Sequence, residues 1–416
     1  MKQINDVIAC VIDSGGSYLS LALRLAKEYK LVYYTCPSWV DAYPKMNKAY
    51  IGYGYDNIET IESPFEVFDE IDVWIFPDTY YGSFAQWLAD QGELVWGSKL
   101  GEEMELQRDD LKKHMKKGKL PVNEFDVIKG MTNLRKYLEK NPDVYVKINK
   151  WRGTIETFYS KTYQLVKPEL DEIEYKLGPL SEEIDFIVEK PVNGLEAGYD
   201  GWTIDGQYPI TCLSGVEIKD KAYAGHIRPY EYITTYITDF NEVMADTFKK
   251  YAYRGFFSTE TRIDNITPYM IDFTARCPCP PGDIYLEIFD NLGEIIYAGA
   301  NGNVVIPKNT KQYGVELLME SEWACHNFQP VYFPDKFAQS VKLKKAAKIN
   351  DINFVIPQSY GSSDIGAIVG LGDSLQEAIK NVIEVADSIE GNGIVIRQDV
   401  LEEAQESLDE FENIHK

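Results

Sequence analysis

The chain has 416 residues, 44% of them hydrophobic and 26% charged, which is enough apolar material for two or three cores and too much length for one. With 42 Lys and Arg against 66 Asp and Glu, the formal net charge is -24, which repels nucleic-acid phosphates and sets nucleic acid aside as a direct ligand. No apolar run approaches the roughly 20 residues that a membrane span needs, and the six cysteines lack a zinc-site spacing, so the expectation is a cytoplasmic protein with reduced thiols and no membrane partner.

Asp6–Asp13 (DVIACVID) reads as a buried strand, Ser14–Ser17 (SGGS) breaks it, and Tyr18–Lys30 carries apolar residues at helical spacing. Gly15 and Gly16 then open a helix N-terminus whose N–H groups are placed to receive a phosphate or carboxylate. The plainer reading is an ordinary strand-to-helix turn, since the full G-x-G-x-x-G fingerprint is absent. Strand signals at Leu31–Cys36, Val73–Pro77 and Leu94–Ser98, with a helix at Ser83–Gln91, predict a parallel α/β unit up to about Ser98.

Gly101–Lys119 is charged and helical and is stopped at Pro121. Asp143–Lys150 (DVYVKINK) is a strand with Val144, Val146 and Ile148 on one face and Lys147 on the other, followed at once by Trp151, Arg152 and Gly153. A strand lysine beside a glycine turn points toward phosphates; alone it would simply be exposed. Ile184–Glu196 (IDFIVEKPVNGLE) is a strand ended by Pro191, and Trp202–Ile218 reads as antiparallel sheet turning at Asp205-Gly206. From about Lys336 short strands and a helix at Ser374–Glu390 predict a small α+β domain. The expected division is 1–98, 99–335 and 336–416.

The most informative stretch is Gly255–Arg276, GFFSTETRIDNITPYMIDFTAR. Its polar turn DNITP predicts a hairpin, with Ser258, Glu260 and Arg262 on one face of the outgoing strand. On the return strand Tyr269, Ile271, Phe273 and Ala275 form the expected core face, opposite Asp272, Thr274 and Arg276. If Asp264 faces Pro268, Glu260 faces Asp272. Like charges across a ladder are destabilising unless a cation lies between them. A Mg²⁺ ion, which takes one or two carboxylates and fills its octahedron with water and phosphate oxygens, meets that need; neutralisation by Arg262 and Arg276 is the rival reading.

Taken in order, these segments resemble the ATP-grasp superfamily, most closely its glycinamide ribonucleotide synthetase (phosphoribosylamine–glycine ligase) branch. The resemblance implies an N-terminal Rossmann-like pre-ATP-grasp domain, an ATP-grasp domain and a small C-terminal α+β domain, the last matched by GAIVGLGDSLQEAI. From ELQRDDLKKHMKKGKLPV it implies that Arg108 and Lys112 contact phosphate or a lid, and from VYVKIN that Lys147 contacts ATP phosphates. FIVEKPVNGLE is similar to the family's hinge, so Glu189, Lys190, Pro191 and Val192 would border adenine and Glu196 would take the ribose hydroxyls. STETRI and MIDFTAR imply Glu260 and Asp272 as Mg²⁺ ligands and Arg276 at the reaction centre. Thr274 stands where the family has asparagine, as a third candidate ligand. Gly15, Gly16, Arg152, Gly153 and Arg228 are further expected substrate contacts.

The implied activity is ATP-dependent carboxylate–amine ligation through an acylphosphate, by a monomer or homodimer acting on a small-molecule acid and amine with ATP and Mg²⁺. The glycine-rich loop of the family is reduced here to NKWRGTIETF, and its glycine- and methionine-containing sugar-phosphate segment is not found. A ligase for a different amino acid or nucleotide, or an ATP-binding protein without turnover, is the alternative.

Overall fold

The computed structural model describes residues 2–36, 50–149, 157–357 and 363–414. Its first layer is a parallel sheet of Ile8–Ile12 (β1), Leu31–Thr35 (β2), Ile58–Thr60 (β3), Val73–Ile75 (β4) and Val95–Trp96 (β5), ordered β3-β2-β1-β4-β5. Parallel neighbours need crossovers, and Leu19–Leu25 (α1) and Gly82–Asp90 (α2) are two of them. Ala9 and Val11 of β1 pack into one cluster while Cys10 and Ile12 pack into another, the alternation of a strand covered on both faces. α1 is shorter than its sequence pattern because the chain turns after Ala26, and Lys30 N–H donates to Val7 O to feed β2.

The charged stretch forms two helices, Glu103–Leu106 (α3) and Arg108–Lys117 (α4), divided by a non-helical Gln107. A four-stranded antiparallel sheet follows: Phe125–Lys129 (β6), Val144–Ile148 (β7), Thr157–Ser160 (β8) and Asp185–Glu189 (β9), ordered β6-β9-β7-β8. Met131–Leu138 (α5) and Tyr163–Leu177 (α6) cover one face and bury Val144, Val146 and Ile148 against Leu134 and Leu170. Tyr145 and Lys147 therefore project from the other face.

The largest sheet holds Leu195–Ile204 (β10), Thr211–Ile218 (β11), Ala222–Pro229 (β12), Arg254–Asp264 (β13), Thr267–Thr274 (β14) and Tyr313–Glu320 (β15). β10 turns at Asp205 and Gly206, whose φ angles of 53° and 84° are the left-handed pair that a two-residue hairpin turn requires. Thr235–Lys250 (α7) lies between β12 and β13; Gly282–Ile288 (α8) and Leu292–Ala300 (α9) precede β15. The chain continues through Gln329–Val331 (β16), Val341–Leu343 (β17), Ala346–Ile349 (β18), Ile352–Val355 (β19), Asp364–Gly372 (β20), Leu375–Ala386 (α10), Val395–Ile396 (β21) and Leu401–Asn413 (α11). Nine strands form one sheet along β14-β13-β10-β11-β12-β15-β20-β17, with β21 also on β15. The β15–β20 ladder thus joins residues on either side of position 336. β16, β19 and β18 make a small separate sheet. Among the described residues no helix is long and apolar enough to cross a membrane.

β13 and β14 form the expected hairpin with Glu260 opposite Asp272, but the register arises differently. Asp264 faces Thr267 and Ile263 faces Pro268, and a bulge beside Glu260 and Thr261 inserts Ile271, the residue that brings the two acids into line. The bulge also corrects the expected core face: Met270 and Phe273 are buried, whereas Tyr269 and Ile271 are only partly so. Phe273 packs on Phe240 and Phe248 of α7 and on Phe257, which anchors the strand that carries Asp272.

Candidate functional site

A cavity of about 1050 Å³ lies between the four-stranded and nine-stranded sheets. One wall is basic. Lys147, 5% exposed, projects from β7 and places Nζ 3.1 Å from Asp272 Oδ2 and 3.6 Å from Glu189 Oε2. Arg108 approaches the same Asp272 oxygen with Nε at 3.7 Å while Nη1 donates to Ile148 O at 3.0 Å. Lys112, one turn along α4, holds Glu189 Oε1 at 3.0 Å and Asn123 Oδ1 at 2.9 Å. Burial opposes the charge on Asp272, but the Lys147 ammonium and the Arg108 guanidinium outweigh it and hold the carboxyl below its usual range. Burial likewise opposes the charge on Lys147, which Asp272 and Glu189 reverse, so the ammonium is kept.

The facing corner is acidic. Glu196 on β10, Glu217 on β11 and Glu260 on β13 converge on Lys219, whose Nζ lies 3.7, 3.8 and 3.4 Å from them. Arg262, opposite Glu196 in the ladder, donates to its other oxygen. Burial raises the Glu217 carboxyl to about 8 despite Lys219, with Glu196 and Glu260 adding to the rise. Burial and then the Glu260 charge also push Glu196 up. Carboxylates crowded in this way favour a cation. Among the described residues no three His, Cys, Asp or Glu side chains make a metal cluster by themselves. Two carboxylates, Glu260 and Asp272, are nevertheless the protein share that Mg²⁺ takes when phosphates and water complete its shell, so the residues present fit that ion.

At the end of β14, Thr274 and Arg276 line the cavity. Arg276 Nε lies 3.1 Å from Glu105 Oε1, and Nη1 lies 3.3 Å from Tyr18 Oη. Glu105 Oε2 also accepts the Ala275 N–H at 2.7 Å, so one carboxylate fixes both backbone and side chain. Lys190, Pro191 and Val192 line the cavity where β9 ends.

Two expectations fall elsewhere, and a third lies outside the described residues. The N–H groups of Gly15, Gly16, Ser17 and Tyr18 all donate to the buried Asp13 carboxylate, at 2.7 to 3.2 Å, as does Tyr34 Oη at 2.7 Å. The chain supplies its own anion there, so Gly15 and Gly16 offer no vacant cradle. Arg228 is outside the cavity lining; it pairs with Glu412 of α11 at 2.7 Å, beside His226 at 2.8 Å. Arg152 and Gly153 lie outside the described residues.

Phosphoribosylamine–glycine ligase from Thermotoga maritima superposes with a TM-score of 0.69 at 17% identity, over 94% of this chain and 100% of that one. The biotin carboxylase domain of Hydrogenobacter thermophilus 2-oxoglutarate carboxylase gives 0.67 at 11% identity, over 100% and 99%. L-amino acid ligase from Bacillus licheniformis gives 0.63 at 12%, over 95% and 100%. The fold is that of the ATP-grasp enzymes. No protein-family model and no curated protein matches the sequence.

Within this ATP-grasp fold the sequence conceals several cavity residues. Glu105 is one acid among the run Glu102, Glu103 and Glu105, and only its contact with Arg276 sets it apart. Lys219 follows β11 in a Lys-Asp-Lys turn, which has the pattern of a solvated turn. Nothing in the sequence marks either.

Proposed function

We propose that the protein is an ATP-dependent, Mg²⁺-dependent carboxylate–amine ligase. The observation that carries the reading is the pair Glu260 and Asp272, aligned by a bulge on one wall of a cavity whose other wall supplies Lys147 and Arg108. The ATP-grasp fold supports it, as does the biotin carboxylase domain solved with MgADP and bicarbonate. In this reading Lys147 and Arg108 would hold the triphosphate, and Asp272 and Glu260 would hold the metal, with Thr274 beside them. Lys112 keeps Glu189 fixed, backbone groups at Lys190 to Val192 meet the adenine edge, and Glu196 meets the ribose.

Bound Mg²⁺ would neutralise charge on the phosphate oxygens as it spreads during transfer. The chain's own part is to position the reactants and hold compensating charge in place. A substrate carboxylate oxygen bonds to the γ-phosphorus, the bond to the β–γ bridging oxygen breaks, and ADP leaves with its electron pair. Arg276, locked by Glu105, faces the acylphosphate so formed. The lone pair of a neutral amine then forms the C–N bond, inorganic phosphate departs from the acyl carbon, and the amine proton passes to solvent. The likeness to phosphoribosylamine–glycine ligase supports a related pairing of acid and amine. We also propose 1–98, 99–335 and 336–416 as the functional segments.

The test is incubation with ATP, Mg²⁺, hydroxylamine and a panel of acids. ADP release coupled to hydroxamate is expected for some acids and is lost in Lys147→Met. Tight ATP binding without ADP release for any acid or amine would instead make this a nucleotide-binding protein.

A further inference from the structure

Between Lys48 and Lys99 the sequence holds no Lys, Arg or His, so every charged residue in that span is an acid. The same span supplies an aromatic surface on the face of the parallel sheet opposite the main core. Its rings come from the short helical turns of Pro64–Glu70, after β3, and from α2. Phe65 meets Phe84 at 5.6 Å between ring centroids, Phe84 stacks on Trp87 at 6.1 Å, and Phe68 meets Trp87 at 6.4 Å. Beneath them the buried Trp74 of β4 touches Phe68 and Phe84 at 5.2 and 6.1 Å. Phe65 and Trp87 are nonetheless 58% and 45% exposed.

A lone exposed aromatic residue is ordinary. Here the exposed rings belong to one contacting cluster anchored from below, so a partner that covers them removes little rotamer freedom. Trp is also among the side chains that most often dominate binding energy at an interface. The charges beside the rings decide what can cover them. Glu66 and Asp69 lie in the same turns as Phe65 and Phe68, and Asp90 ends α2; all three are exposed and pair with no cation among the described residues. Lys2 enters the region but is held by Asp72 at 2.6 Å. A second copy of the chain fits poorly, because a two-fold contact would set the patch against itself and bring acids to acids, in a molecule of net charge -24. Anionic lipid meets the same repulsion. A protein segment with apolar anchors and Lys or Arg flanks does not: its apolar side chains cover the rings while its cations answer the acids and stack on the indole.

We propose that this face docks a cationic amphipathic segment of a different protein, seated on Phe65 and Trp87 with its Lys or Arg side chains at Glu66, Asp69 and Asp90. None of these residues lines the large cavity, so the partner is held without occupying the candidate active site.

The probe is a fluorescein-labelled synthetic helical peptide with Leu on one face and Lys on the other, and anisotropy reads its binding to the full-length protein at about 0.15 M salt. A peptide with Glu in place of Lys and one with Ser in place of Leu are the controls. The Leu/Lys peptide is expected to bind, and each control to bind at least ~10-fold more weakly. Trp87→Ala, and Glu66→Lys combined with Asp69→Lys, are each expected to weaken the Leu/Lys peptide by at least ~10-fold. Should Trp87→Ala not fold, Phe65→Ser takes its place. Failure of the Leu/Lys peptide to bind overturns the proposal. Equal binding to the unaltered protein and to the variants, or equal binding of the Lys/Ser peptide, also overturns it and assigns the attraction to overall charge. A dimer in sedimentation velocity that Trp87→Ala dissociates would give the face to a second copy, and phosphatidylserine vesicles that bind through Trp87 would give it to a membrane; either result removes the cationic partner.

Discussion

Replacing Asp272 by asparagine keeps the shape of the side chain and removes its charge, so it isolates what that charge does. In the nucleotide-free protein the carboxylate neutralises Lys147 at 3.1 Å and Arg108 at 3.7 Å. At an effective dielectric of about 20, one pair at the shorter separation is worth about 5 kcal/mol by Coulomb's law. The Asp272 side chain is 24% exposed, so water returns part of this, and breaking a pair of this kind costs about 3 kcal/mol. Urea unfolding of Asp272→Asn is therefore expected to show a loss of about 3 kcal/mol. Binding should change in the opposite sense. With one anion fewer beside the two cations, metal-free ATP binds about 10-fold more tightly, whereas the extra affinity that Mg²⁺ confers on the unaltered protein is lost, and turnover with it. A variant of unchanged stability, or one whose ATP affinity still responds normally to Mg²⁺, would refute the assignment of Asp272 as both the apo-state partner of Lys147 and a metal ligand.

Glu105→Gln removes the nearer of the two carboxylates paired with Arg276, at 3.1 Å, and leaves Asp78 at 3.8 Å; kcat is expected to fall about 10-fold with KM for ATP unchanged, and a parallel loss of ATP affinity would show that Glu105 serves the nucleotide instead. Arg228→Ala is expected to leave turnover intact and to lower stability by about 1 kcal/mol, read in the urea midpoint, because its partner is Glu412 on the C-terminal helix. Glu217 fixes a pH effect: its folded value of about 8 exceeds the usual 4.5, so between these values the folded state binds more protons than the unfolded chain, and stability falls as pH rises. Glu217→Gln should flatten that slope in Mg²⁺-free unfolding curves. MgATP binding at pH 7 should release protons, and equal apparent enthalpies in two buffers of unlike ionisation heat would contradict this.

The strands were legible because their signal is period-two burial: Val144, Val146 and Ile148 on one side of Lys147 named the face turned to the cavity before any contact was known. The opposed acids were legible too, though the simple hairpin count reached them by a register that does not occur. Backbone bulges leave no mark in residue type, and Ile271 is as apolar as a core residue. Gly15 and Gly16 misled because a glycine turn shows that N–H groups are presented but not to whom; Asp13, two residues before, is the recipient. Arg228 misled for a related reason: its partner is 184 positions away, and a residue separation of that kind cannot be read from composition. Glu105 and Lys219 were illegible because the sequence is rich in acids and lysines, and only distance distinguishes a clamp from a solvated neighbour.

The ladder between β15 and β20 bears on how the protein is made. Emerging from the ribosome, a chain that has reached residue 335 presents β15 paired to β12 on one edge and bare on the other, the kind of open template that recruits neighbouring chains. The missing partner arrives only with residues 364–372, so the wall bearing Glu196, Glu217 and Glu260 acquires its full sheet late in synthesis, through a contact of long sequence separation that closes slowly. Fragments ending before β20 are accordingly expected in inclusion bodies, and a tail exchanged between relatives would have to match an internal edge rather than a linker.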